Sequence, residues 1–284
     1  MRAAARRGAA NSAKSLFTLA ALPHRLAGLN AYTLVGDPNN PRRAALIHSL
    51  AMDREFWRPV AGRMDAAVLL YDCTGHGASP KPAGPYTVAG FADDLARLLD
   101  HLGWDKALVA GASMGGCVAL AFMKRHQARA CALGLVDTTA WYGADAPRQW
   151  EERAQKGLRE GMKALVDFQV TRWFSDAFRA ARPEVVAQCV STFLQNDIRA
   201  YAETCRMLGA ADLRGVLPAI DVPTAIVVGE QDYATPPAMA QELHRGIRGS
   251  TLTVLEGARH LTPLERPVEI AAQLRRLLDP VAVA

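Results

Sequence analysis

A serine lies between glycines in the stretch Gly111-Ala112-Ser113-Met114-Gly115, after one apolar run and before another. The pattern G-x-S-x-G is typical of a tight strand-to-helix turn that holds a serine hydroxyl in a strained, projecting position. A helix that begins directly behind the serine presents free N–H groups and its positive end, which suit a developing oxyanion. The same residues also fit an ordinary turn, so the serine needs catalytic partners.

The partners are sought further along the chain. A serine hydroxyl attacks when a base removes its proton, and the base needs a carboxylate that fixes its tautomer. The expected chain order behind such a turn is serine, then aspartate or glutamate, then histidine. Asp232 follows the apolar run 223–229, and His260 follows the run 251–257. Because open α/β sheets bind ligands where their strands end, this order predicts Ser113 as nucleophile, His260 as base and Asp232 as the carboxylate.

The aspartate and the histidine each have an alternative interpretation. Asp232 also suits a helix cap or a turn, and Asp137, which follows the run 131–136, is a rival carboxylate. His260 also suits an exposed loop, but the other six histidines precede the serine or lie in or near predicted helices. The agreement of three separate placements favours the catalytic interpretation.

The oxyanion of a serine hydrolase needs two backbone donors. The amide of Met114, directly after the serine, is the first predicted donor. The second is predicted to be the amide of Leu50, in "HSLAMDREFW" after the early strand. The alternative is a plain strand-to-helix loop with Phe56 and Trp57 packed below it.

Apolar runs alternate with helical patterns along most of the chain. This alternation predicts the α/β class, with a mostly parallel sheet and helices on both faces. The predicted strands are 31–36, 44–49, 66–72, 107–111, 131–137, 223–229 and 251–257, and the predicted helices are 91–103, 114–126, 237–247 and 267–278.

Residues 141–216 depart from the alternation, because they contain only helical patterns. They separate the two halves of the predicted sheet, so we expect a helical cap that is inserted above the sheet as a lid. The predicted organisation is a basic N-terminal extension over 1–27, a core made of 28–140 and 217–284, and the cap over 141–216.

The composition is that of a globular protein: 284 residues, half of them hydrophobic and 21% charged. No apolar run approaches the ~20 residues that span a bilayer, so no membrane segment is expected. Positive charge is concentrated before the first acidic residue, Asp37, which suggests either a targeting segment or a docked basic terminus. Elsewhere the charges are dispersed without interleaved aromatics, which argues against a nucleic-acid partner.

The five cysteines are odd in number and scattered along the chain. This usage is typical of reduced thiols in a cytoplasmic protein and unlike a disulfide framework. No cluster of His, Cys, Asp or Glu has the spacing of metal ligands, so we expect no metal site.

The chain resembles α/β-hydrolase fold enzymes over nearly all of residues 28–280. The resemblance is carried by "IHSLAMDREFW", "YDCTGHGASPKPAGPYT", "GASMGGCVAL", "VPTAIVVGEQDYATPP" and "GARHLTPLERP". Within that family the chain is most similar to 3-oxoadipate enol-lactonases, on "HSLAMDREFW" and the cap stretch "VDFQVTRWFSDAFRAARPEVV". The resemblance implies a serine hydrolase without a cofactor that opens a small, carboxylate-bearing enol-lactone in bacterial aromatic-acid degradation.

Several positions separate this chain from other members of the family. Thr74 stands where the family pattern Asp-x-Arg-Gly-His-Gly has arginine, and His48-Ser49 replaces the Asn-Ser typical of enol-lactonases. Ser113 argues against the haloalkane dehalogenases and epoxide hydrolases, which have aspartate there. The absence of a glycine-rich loop after His48 argues against the carbon–carbon bond hydrolases.

The predicted helical cap also supplies candidate substrate contacts. Trp141, Arg172 and Trp173 of the cap are predicted to contact the substrate, and Arg172 or Arg206 is predicted to pair with its carboxylate. Either arginine also suits a solvated helix face. The predicted partner is a small-molecule ester or lactone, and a homo-oligomer is compatible with the sequence. The alternatives are a carboxylesterase for small or medium acyl esters and a non-catalytic ligand-binding protein of the same fold.

Overall fold

The computed structural model describes residues 28–279, and seven strands of this part form one sheet. The strands are β1 (Tyr32–Val35), β2 (Arg43–Ile47), β3 (Ala67–Tyr71), β4 (Ala107–Ala112), β5 (Ala130–Val136), β6 (Thr224–Gly229) and β7 (Thr251–Leu255). Their order in the sheet is β1-β3-β2-β4-β5-β6-β7. β1 is antiparallel to β3 and the other pairings are parallel, which confirms the predicted mostly parallel sheet.

The inner strands are apolar along their whole length. Every residue of β3, β4 and β6 is buried. Parallel strands read as continuous apolar runs when both faces of their sheet are covered. At the edge of the sheet, β7 is more exposed. The hydrophobic core therefore lies against the central strands of the sheet.

The helices follow the strands in the order that the alternation predicts. They are α1 (Arg58–Ala61), α2 (Val88–His101), α3 (Met114–His126), α4 (Ala146–Glu160), α5 (Val166–Trp173), α6 (Asp176–Ala181), α7 (Pro183–Leu194), α8 (Ile198–Gly209), α9 (Pro237–Gly246), α10 (Thr262–Glu265) and α11 (Pro267–Leu278). Short 3₁₀ helices cover Arg54–Trp57, Gln127–Arg129, Met162–Leu165 and Arg214–Ala219. Within residues 28–279, none of the helices has the length and apolar character needed to cross a membrane.

The carboxyl ends of neighbouring parallel strands meet at one edge of the sheet. Three non-glycine residues of the described chain have positive φ, and each lies just beyond a strand at this edge. They are Ala51 at 59°, Ser113 at 54° and Asp137 at 45°. Such backbone conformations are costly for L-residues, and they concentrate at functional sites. The strained residues therefore lie at the edge of the sheet where the catalytic residues are predicted.

The chain between β5 and β6 is helical, as the sequence predicts. We call residues 141–216 the helical insertion; α4 and α8 pack against each other within it. An isolated antiparallel bridge between Trp141 and Asp212 joins its two ends. The division into core and cap, and the role of the insertion as a lid, stay predictions. The predicted basic extension, 1–27, lies outside the described residues.

Candidate active site

Ser113 occupies a tight turn between β4 and α3, with φ of 54° and ψ of −116°. The flanking glycines are needed because the backbone is crowded there. A Cβ atom on Gly111 would overlap the carbonyl of Gly115, and one on Gly115 would overlap the carbonyl of Ile47. Glycine at both positions thus lets α3 start directly against the ends of β4 and β2.

Ser113, His260 and Asp232 form a continuous hydrogen-bonded chain. Nδ1 of His260 lies 2.8 Å from Oδ2 of Asp232, and Nε2 lies 2.9 Å from Oγ of Ser113. Because an ionised carboxylate only accepts, the network assigns the proton of His260 to Nδ1 and leaves Nε2 to accept from the serine. The other oxygen of Asp232, Oδ1, accepts hydrogen bonds from the amides of Ala234 and Thr235.

The electrostatics of the pair favour a charged histidine. Burial by itself lowers the pKa of His260, but the charge and hydrogen bond of Asp232 outweigh it and hold this pKa above the usual value. Burial likewise raises the pKa of Asp232, yet His260 and two backbone amides leave it lower than usual. The arrangement can therefore stabilise an imidazolium that forms when the serine loses its proton.

Asp137, the rival carboxylate, has different partners. Its Oδ1 accepts from the amide of Gly229 at 3.0 Å, while Oδ2 accepts from the amide and the hydroxyl of Thr262. Burial and the nearby Asp232 raise its pKa well above the usual value. Asp137 thus ties the end of β5 to β6 and to the start of α10, and it is Asp232 that contacts the imidazole.

Two backbone amides are placed to receive an oxyanion. Met114 is the first residue of α3, so its N–H has no partner within the helix. Within residues 28–279, the N–H of Leu50 has no hydrogen-bond acceptor either. Leu50 lines the same cavity as Ser113. Met114 and Leu50 are the predicted oxyanion donors, and their placement suits that role.

A cavity of about 570 Å³ lies between the sheet edge and the helical insertion. Ser113, His260 and Leu50 line its floor, and much of the remaining lining comes from the insertion. The residues of the insertion that matter here are Tyr142, Trp150, Arg153, Lys156, Arg172 and Trp173. The cavity therefore combines the hydrogen-bonded serine with several cationic and aromatic side chains.

The predicted substrate residues divide into two groups. Arg172 and Trp173 line the cavity, and their contact with a substrate stays a prediction. Trp141 is a correction, because Arg214 stacks over its ring at 3.8 Å while the next residue, Tyr142, lines the cavity. Trp141 is held by its bridge at the base of the insertion and does not contribute to the lining.

Arg206 is a second correction. Its guanidinium is paired with Glu151 and with Glu203, outside the cavity lining. These two carboxylates raise the pKa of Arg206 and already neutralise its charge locally. Of the two arginines predicted to meet a substrate carboxylate, only Arg172 is in place to do so.

Arg153 is a cavity residue that the sequence reasoning missed. Its Nε donates to the hydroxyl of Tyr201 at 2.6 Å, and its guanidinium lies 5.0 Å from the centre of the Trp150 ring. Trp150 and Arg153 are three residues apart on α4, so they share one face of that helix. The sequence signal that could have predicted Arg153 as a cavity residue is its place, as a basic residue, on the apolar face of an amphipathic helix.

Comparison with known proteins identifies the family of this chain. A model of the alpha/beta hydrolase family matches residues 45–273. The chain belongs to this family. The structure of an enol-lactonase from Burkholderia xenovorans LB400 superposes on it with a TM-score of 0.83 and 34% sequence identity, covering 87% of this chain and 95% of that one.

Two further relatives of this α/β hydrolase are informative. 3-Oxoadipate enol-lactonase 2 of Acinetobacter baylyi is 34% identical over 240 residues, which are 83% of this chain and 88% of that protein. A thermophilic esterase of Thermogutta terrifontis, solved with malate bound, has 27% identity and a TM-score of 0.82, covering 91% of this chain and 96% of that one. The resemblance to α/β hydrolases and enol-lactonases is confirmed, and these relatives support an enzyme that hydrolyses esters or lactones.

Proposed function

We propose that this α/β hydrolase is a serine hydrolase that cleaves a small, carboxylate-bearing ester or lactone through an acyl-enzyme, with 3-oxoadipate enol-lactone as the closest substrate type. The observation that supports an anionic substrate is the position of Arg153. Its side chain lines the cavity together with Ser113 and His260, and no carboxylate of the described residues forms a salt bridge with it. A substrate carboxylate is the partner that this cation lacks.

The surrounding charges support the same conclusion. Lys156 and Arg172 also line the cavity, against one carboxylate, Glu152. Burial lowers the pKa of Arg172, and repulsion from Arg153 lowers it further. An anion placed among cations that repel one another relieves this repulsion. The cavity therefore favours an anionic substrate over a neutral one of the same size.

In the first step, Oγ of Ser113 attacks the ester carbonyl while Nε2 of His260 takes the hydroxyl proton. Asp232 stabilises the imidazolium, and the amides of Met114 and Leu50 hold the oxyanion. When the tetrahedral intermediate collapses, the bond between the carbonyl carbon and the leaving oxygen breaks, and His260 returns its proton to that oxygen. An enol leaving group then becomes a ketone, which draws the reaction forward.

In the second step, water replaces the leaving group. Nε2 of His260 removes a proton from the water as it attacks the acyl-enzyme carbonyl, through the same oxyanion contacts. Collapse of this second intermediate releases the acid and returns the proton to Ser113. The two steps need only the three side chains and two amides described above.

A carboxylesterase for medium acyl esters is the second candidate. It is favoured by the apolar part of the lining, which includes Trp150, Leu165, Phe168 and Met239. Such a surface accepts an acyl chain through burial of apolar area. The two candidates share the same reaction centre and differ in what the insertion contacts.

The test compares one lactone that carries a carboxylate with the same lactone carrying a carboxamide. In Arg153→Met we expect KM for the carboxylate to rise roughly tenfold or more, the effect of losing a charge-assisted hydrogen bond, and KM for the carboxamide to change little. Arg159→Met is the matched control, because Arg159 is exposed on the same helix.

Each other outcome rejects a named part of the proposal. Equal effects of Arg153→Met on both lactones would remove the anion-binding role. A preference for octanoyl or longer esters would favour the carboxylesterase. No hydrolysis of any ester or lactone, together with no labelling of Ser113 by a fluorophosphonate probe, would leave the non-catalytic alternative.

A further inference from the structure

His48 is a fully buried histidine directly after β2 and outside the lining of the cavity. Its Nδ1 lies 2.8 Å from the carbonyl oxygen of Ser49, and its Nε2 accepts a hydrogen bond from the amide of Cys73 at 2.9 Å. A carbonyl accepts and an amide donates, so the two contacts together define one tautomer: the proton is on Nδ1. Burial lowers the pKa of His48 to about 4, which keeps the ring neutral at neutral pH.

The hydrogen bond from His48 sets the direction of a peptide group. The carbonyl of Ser49 and the N–H of Leu50 belong to the same planar, trans peptide, so they point in opposite directions. The carbonyl of Ser49 is held by Nδ1 of His48 and also by the amide of Met52 at 3.1 Å. With its carbonyl held on one side, this peptide presents the N–H of Leu50 on the other.

The turn that contains this peptide is strained. The contact between Ser49 and Met52 closes a β-turn whose third residue, Ala51, has φ of 59°, a conformation that favours glycine. A strained turn persists only when its surroundings hold it in place. Two side chains do so: His48 through the carbonyl of Ser49, and Asn196, whose amide donates to the carbonyl of Ala51 at 2.8 Å.

We propose that His48 is a positioning residue for the oxyanion donor. It does not touch the substrate; it holds the Ser49–Leu50 peptide so that the N–H of Leu50 faces the oxyanion formed at Ser113. This inference rests on the proposed function, because it requires an oxyanion at the serine. It assigns a role to the histidine that stands where enol-lactonases were expected to have asparagine.

The substitution pair His48→Asn and His48→Leu isolates the contact with Ser49. The side-chain amide of asparagine can occupy the place of Nδ1 and donate to the carbonyl, whereas leucine fills the volume without a donor. Both variants lose the acceptor for Cys73, so this loss cancels in the comparison. The substrate is p-nitrophenyl acetate, and the measured quantities are kcat, KM and the melting curve.

We expect His48→Leu to lower kcat roughly 10²-fold, approaching the loss of one oxyanion donor, with KM nearly unchanged. His48→Asn should recover most of that loss. Affinity for a boronic acid that forms a tetrahedral adduct with Ser113 should fall in parallel with kcat, while affinity for the carboxylate product should not. A merely structural role would not separate these two ligands.

The outcomes distinguish this inference from the function on which it rests. A folded leucine variant with kcat within threefold of the wild type, or equal losses in both variants, would refute the role of His48 and leave the serine mechanism intact. If the leucine variant does not fold, His48→Gln replaces it, because glutamine reaches toward Cys73 and not toward Ser49. A wild type that is inactive toward esters and unlabelled by a fluorophosphonate would overturn both proposals.

Discussion

Replacing Asp232 by asparagine tests how the imidazole is held. Oδ1 of Asp232 accepts hydrogen bonds from the backbone amides of Ala234 and Thr235. In the variant, the side-chain oxygen of asparagine must stay at that position, because an NH₂ group cannot accept these hydrogen bonds. The asparagine NH₂ group then faces Nδ1 of His260 and donates to it. The ring is forced into the other tautomer, with its proton on Nε2 and no lone pair there for the serine hydroxyl.

The expected loss in kcat is about 10⁴-fold, by analogy with other serine hydrolases in which the tautomer is reversed. This corresponds to about 5.4 kcal/mol at 1.36 kcal/mol for each factor of ten. The assay is hydrolysis of a p-nitrophenyl ester, with circular dichroism to confirm folding. A folded Asp232→Asn enzyme that keeps a tenth of the wild-type kcat would show that this carboxylate does not orient the base.

Asp137→Asn is the matched control. The amides of Gly229 and Thr262 donate to different oxygens of Asp137. Asparagine has only one side-chain oxygen, so one of these buried N–H groups loses its acceptor. We expect this to destabilise the fold by about 1–3 kcal/mol, the cost of an unsatisfied buried group. Activity at a temperature where the variant is folded should stay within tenfold. The reverse ranking of the two variants would move the catalytic carboxylate to the end of β5.

The remaining predictions concern the nucleophile and the base. Ser113→Ala should lower turnover by several orders of magnitude without unfolding the protein. A fluorophosphonate should label only the wild type, and a mutant with more than a tenth of the activity would exclude Ser113 as nucleophile. The kcat/KM of the wild type should rise with pH through a pKa above the ordinary histidine value, because Asp232 raises the pKa of His260 and only the neutral ring is a base. A controlling pKa below that value would contradict the contact with Asp232.

Much of the fold could be predicted because its central strands are covered on both faces and therefore read as apolar runs. The helix boundaries were less accurate. The helix predicted over 91–103 begins at Val88, because the hydroxyl of Thr87 caps it by accepting from the amide of Gly90. A cap of this kind is visible in the sequence only once the register of the helix is known.

The candidate site was likewise predicted in some parts and missed in others. The chain order of Ser113, Asp232 and His260 was informative because parallel strands end at one edge, and the structure brings these three into contact. The cavity wall was predicted only in part, through Arg172 and Trp173. Arg153 lies on α4 and Trp141 in the bridge that precedes it, and packing within the insertion decides that the first lines the cavity and the second packs against Arg214.

The loop after β3, which contains Asp72 and Thr74, is held by a buried ion pair. Asp72 is buried and pairs with Arg54, and it also accepts from the amides of Arg54 and Ala78. The hydroxyl of Thr74 instead donates to Asp94 at 2.6 Å. Arg54, from another part of the chain, supplies the charge that compensates the buried Asp72.

Arg54 also connects this loop to the proposed oxyanion donor. It lies four residues after Leu50, in the 3₁₀ helix Arg54–Trp57 that follows the strained turn. The chain on either side of Leu50 is thus tied to one underlying loop: His48 accepts from the amide of Cys73, and Arg54 pairs with Asp72. Departures that look unrelated in the sequence, at positions 48 and 74, meet in one structural unit. Through His48 and Arg54, this loop fixes the two ends of the segment that carries the amide of Leu50.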